Sequence, residues 1–98
     1  MRISPEQTAL ILRTVGEQAG AGVRVLLFGS RTDDTRRGGD VDLLIESEPP
    51  LSGLQRVDIQ LRLEETLCLP VDIVVPGKTL TPFQQLVRAT AVPLGVTA

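Results

Sequence analysis

The chain has 98 residues and a formal charge of −2, which fits one domain over residues 1–98 and leaves no room for a separate substrate-binding lobe. Apolar residues make up 42% and charged residues 22%, a balance that excludes intrinsic disorder. The slight acidity removes any long-range pull on nucleic acid or anionic lipid, and only Phe28 and Phe83 are available for base stacking.

Ser4-Pro5-Glu6-Gln7 has the grammar of a helix start, with Ser as N-cap, Pro in the first turn and Gln three residues after the cap. Ala9, Ile11, Leu12, Val15 and Ala19 then fall on one helical face, which predicts a helix to about Gln18 ended by Gly20 and Gly22. Val23 to Phe28 reads as a strand that feeds a tight Gly29-Ser30 turn. Arg31 to Gly39 is polar and reads as a loop. Val41, Leu43 and Ile45 alternate with Asp40, Asp42 and Leu44, which predicts a second strand opening on the acids. Pro49-Pro50 ends that run, and a helix is expected from about Ser52 to Leu67, followed by a third strand over Val71–Val75. Thr81-Pro82-Phe83-Gln84 repeats the capping grammar and opens a last helix to about Thr90. The tail from Pro93 is expected to be frayed or loosely docked. This order predicts an α/β layer of helices over a sheet of three or four strands.

The middle helix carries two apolar stripes. Leu54, Val57, Leu61 and Cys68 are expected to pack on the sheet. Ile59, Leu63 and Leu67 line nearly the opposite face, which is either ordinary core or a stripe covered by another chain.

Without histidine and with one cysteine, the chain cannot build a His/Cys zinc site or a His-dependent nucleophile. Among the residues that can do chemistry, three carboxylates stand out: Asp40, Asp42 and Asp72. The period of two along a strand puts Asp40 and Asp42 on one face. Carboxylates side by side repel unless a cation neutralises them, and such oxygen pairs suit Mg²⁺, which keeps waters and leans on substrate phosphates. Asp72 lies between Val71 and Ile73, where strand propensity disfavours it. If the two strands are neighbours, it joins the cluster. Asp-x-Asp alone is commonly just a strand start, and Gly-Ser alone a turn. Together they add exposed backbone N–H groups and a hydroxyl suited to a terminal phosphate.

The segment Phe28-Gly29-Ser30-Arg31 through Asp40-Val41-Asp42-Leu43-Leu44-Ile45 resembles the signature of the DNA polymerase β-like nucleotidyltransferases. More narrowly it resembles the minimal nucleotidyltransferases (MNT), small proteins often encoded beside a HEPN-domain protein. The resemblance implies an α/β (α+β) fold with a small mixed sheet flanked by helices. It assigns Gly29, Ser30 and Arg31 to the nucleotide. Asp40, Asp42 and Asp72 become the catalytic acids, holding two Mg²⁺ ions. ATP is the implied substrate, and the implied role is an antitoxin that transfers AMP to a hydroxyl of a HEPN-domain toxin, in complex with it.

Two rival phosphate motifs fail. Gly77-Lys78-Thr79 lacks the first glycine of a P-loop, because Asp72 holds that position. Gly20-Ala21-Gly22 precedes a strand instead of following one, which excludes a dinucleotide fingerprint. Two other functions stay open beside protein adenylylation: transfer to a small molecule, and a non-catalytic module that neutralises a partner by docking. The longest unbroken apolar runs, such as Val25–Phe28, are far too short to cross a membrane. Pro5 and Glu6 stand where a signal peptide would be apolar, and the lone cysteine suits a reducing compartment, so a cytoplasmic location is expected.

Overall fold

A computed structural model describes residues 3–28, 41–77 and 79–98. Helix α1 covers Pro5–Ala19, strand β1 Arg24–Phe28, strand β2 Val41–Glu46 and helix α2 Gly53–Leu67. Strand β3 (Val71–Val74), helix α3 (Pro82–Thr90) and strand β4 (Val92–Val96) follow. Each helix opens on a full capping box, made by Ser4 with Gln7, Ser52 with Gln55, and Thr81 with Gln84. In each box the cap oxygen and the glutamine amide satisfy backbone N–H groups that the first turn would otherwise leave unpaired. Gly20 closes α1 at φ +88°, a conformation that costs glycine little.

The four strands form one mixed sheet in the order β3-β2-β1-β4. β1 runs antiparallel to β2 and β4, while β2 and β3 are parallel. Their alternation sorts side chains to two faces. Val25, Leu27, Val41, Leu43, Ile45, Val71 and Ile73 meet Ile11, Val15, Ile59 and Leu63 from α1 and α2 in the main core. The other face carries a smaller cluster, in which Leu26 and Leu44 are covered by Val87 of α3. The result is an α+β fold with two helices on one face and one on the other.

Two expectations are corrected. The stripe that packs on the sheet is Ile59 and Leu63, both fully buried, with Leu67 against them. Leu54, Val57 and Leu61 face outward and are exposed. Rotation of α2 is fixed at two points: Gln55 Nε2 donates to the Gln18 carbonyl at 3.1 Å, and Glu64 Oε2 accepts from the Val71 amide at 3.0 Å.

The second correction concerns the tail, which is a strand. β4 covers the edge of β1, although Pro93 and Gly95 make its sequence a poor strand on propensity. As an edge strand it tolerates both, with an irregularity in pairing between Val25 and Leu26. A Cβ on Gly95 would approach Leu12 Cδ1 to 3.0 Å, so the glycine permits β4 to lie close to α1.

Thr97 locks this strand. Its buried hydroxyl donates to the Gly20 carbonyl at 2.7 Å and accepts from the Val23 amide at 2.9 Å. Its backbone pairs with Val23 and Gly22. Thr97→Val keeps the shape but strands the Val23 amide, which is expected to cost about 1–3 kcal/mol. A urea titration that shows no shift in midpoint would contradict this role for the hydroxyl.

No helix among the described residues is long and apolar enough to cross a membrane.

Candidate functional site

The sheet face covered by α3 is organised in cross-strand rows. The middle row is apolar, with Leu26 opposite Leu44 and Leu44 beside Val74. At one end Arg24 pairs with Glu46. At the other, Phe28 sits opposite Asp42, and Asp42 is in register with Asp72.

Parallel pairing of β2 with β3 thus puts the two aspartates side by side on strands about 4.8 Å apart, both on the α3 face. The register is set at the start of both strands. The Val41 amide donates to the Pro70 carbonyl at 2.8 Å, just before Asp42 and Asp72. Glu64, from the last turn of α2, holds the Val71 amide next to Asp72. A helix carboxylate therefore fixes the strand that carries the third acid. Nothing in the sequence marked Glu64 for that task, since a glutamate on a helix is usually solvated. Phe28 was also missed as a neighbour of Asp42. Its signal was available, because it directly precedes Gly29.

Asp42 is half-buried and Asp72 exposed. Asp72 makes no ion pair among the described residues. Like charges directly opposite on neighbouring strands are destabilising. A hard divalent cation with oxygen ligands would offset that repulsion, so the donor set fits Mg²⁺. Among the described residues no group of three acidic, cysteine or histidine ligands forms. Asp40, Gly29, Ser30 and Arg31 lie outside the described residues, as does Lys78.

The far end of the same face carries an ion-pair network. Glu46 accepts from Arg24 at 3.3 Å and from Arg88 at 3.0 Å. These three side chains line a cavity of about 370 Å³ with Ser47, Pro76 and Leu80, and neither Asp42 nor Asp72 lines it. Asp42 and Asp72 lie at the opposite end of the face from this cavity, which Glu48 also lines.

Residues 9–92 match the family model of the nucleotidyltransferase domain. The match runs from the first half of α1 to the start of β4 and includes Asp42, Asp72 and the Gly29–Asp40 segment. No curated protein matches the chain.

Proposed function

Since the chain belongs to the nucleotidyltransferase domain family, we propose that it is a Mg²⁺-dependent transferase that moves AMP from ATP to a hydroxyl of a partner protein. The partner in this reading is a HEPN-domain toxin, and the chain is its cytoplasmic antitoxin. The observation that carries the catalytic part is the shared register of Asp42 and Asp72 on neighbouring parallel strands. The narrower role is supported by the resemblance of the Phe28–Arg31 and Asp40–Ile45 segments to minimal nucleotidyltransferases.

In this assignment Asp40, Asp42 and Asp72 hold the metal. Gly29 and Ser30 receive the triphosphate through backbone N–H groups and a hydroxyl, with Arg31 adding positive charge. Two bound Mg²⁺ ions would stabilise the attacking and leaving oxygens of an in-line displacement. The acceptor hydroxyl gives up its proton to water and its oxygen bonds the α-phosphorus as the bond to pyrophosphate breaks. Asp42 and Asp72 contribute by being preorganised: both are fixed to strands whose backbone is already paired, so little reorganisation accompanies charge development.

Calorimetric titration with ATP tests the site. Wild type is expected to bind ATP only with Mg²⁺, and Asp40→Asn/Asp42→Asn is expected to lose that binding. ATP binding that persists without Mg²⁺, or in the double variant, contradicts the assignment.

A further inference from the structure

Helix α2 has a second apolar face that is exposed and that no described residue covers. Leu54 is 85% exposed, Leu61 59% and Val57 42%. With 100° per residue, these three fall within an arc of about 60°. Their i, i+3, i+7 spacing is that of a seam between two helices. Contiguous exposed side chains of this kind mark interaction surfaces more than isolated ones do.

The borders of the seam say what fits it. Asp58 and Glu65 flank one side on the helical wheel, and Glu64 flanks the other. Arg62 is already engaged with Asp58 at 3.0 Å. Glu64 accepts from the Val71 amide, and Glu65 has no ion pair among the described residues. With Asp58 paired to Arg62, the net negative charge at the borders rests on Glu64 and Glu65, and the middle of the face is apolar. A second copy would oppose two net negative borders, and an anionic membrane would be repelled.

We propose that the outer face of α2 docks an amphipathic helix of a partner protein whose apolar seam is bordered by Lys or Arg. The proposal does not rest on transfer chemistry. α2 packs on the sheet face opposite Asp42 and Asp72, so a partner held there leaves the acid row open.

The test uses the isotope-labelled chain and two synthetic helical peptides of about 20 residues. Both have the same leucine seam, bordered by lysine in one and by glutamate in the other. The lysine peptide is expected to bind about tenfold more tightly or better, with an affinity that falls as salt rises. It should shift the amides of residues 54–61. Leu54→Gln/Leu61→Gln should weaken it by about tenfold or more while Mg²⁺-dependent ATP binding stays as in wild type. Both positions are exposed, so an unchanged amide spectrum elsewhere confirms that the variant is folded. Equal binding of the two peptides, or shifts confined to other elements, overturns the proposal. So does a concentration-dependent dimer of the chain that the double variant abolishes, because the occupant would then be a second copy.

Discussion

Asp42→Asn is expected to lower nucleotidyl transfer by about 10³-fold, equivalent to about 4 kcal/mol of transition-state stabilisation. Asparagine has nearly the same shape as aspartate, so β2 keeps its pairing with β1 and β3. What disappears is one formal charge and one anionic ligand in the row shared with Asp72. A neutral amide oxygen is a weaker donor to a hard cation, so only Asp40 and Asp72 of the three proposed ligands stay anionic. A second readout separates lost chemistry from lost folding. Mg²⁺ that binds only the native state raises the melting temperature of wild type by mass action, and this rise should vanish in Asp42→Asn. Without Mg²⁺ the variant should melt close to wild type. Transfer near the wild-type rate in the variant would remove Asp42 from the metal site. A large fall in melting temperature without Mg²⁺ would instead make the residue structural.

Leu63→Asp is expected to unfold the domain. Leu63 is fully buried between α2 and the sheet, in the same cluster as Ile11, Val15, Leu43 and Ile45. Removing a buried leucine costs about 2–5 kcal/mol. Placing a carboxylate there adds several more, because no lysine or arginine among the described residues is buried to offset desolvation. Domains of this kind have about 5–15 kcal/mol of stability in total, so the sum consumes much or all of it. Leu61→Asp makes the comparison informative, being only two residues away on the exposed face of the same helix. It should change stability by no more than about 0.5 kcal/mol. Far-UV circular dichroism and urea titration of the two variants decide the matter. A native-like Leu63→Asp would mean that the burial of α2 has been assigned to the wrong stripe.

That comparison also shows where sequence reasoning reaches its limit. Helical periodicity finds both stripes of α2 but does not say which one faces the sheet. Charge position gives only a divided signal: Asp58 and Glu65 lie beside Leu54 and Leu61 on the helical wheel, but Arg56 lies beside Leu63 and Arg62 nearer to Ile59. β4 was hidden for a different reason. Val92-Pro93-Leu94-Gly95-Val96 has weak local preference for a strand and is held in place by the edge of β1 and by Thr97. Tertiary pairing overrides propensity at such an edge.

The sequence by itself determined what is local. Ser-x-x-Gln and Thr-x-x-Gln spacing placed the helix starts. Alternation placed the strands, and the strand period put Asp42 and Asp72 out of phase with their apolar neighbours. It also carried the family, since residues 9–92 match the nucleotidyltransferase domain. The tertiary structure alone decided that β2 and β3 are parallel neighbours with Asp42 opposite Asp72. It also decided that Ile59 and Leu63 turn inward and that the last strand closes the sheet. The physical reason is range. Caps and periodicity act over a few residues, whereas strand order, register and helix rotation depend on contacts such as Val41 with Pro70 or Val23 with Thr97. Those contacts exist only once distant segments meet.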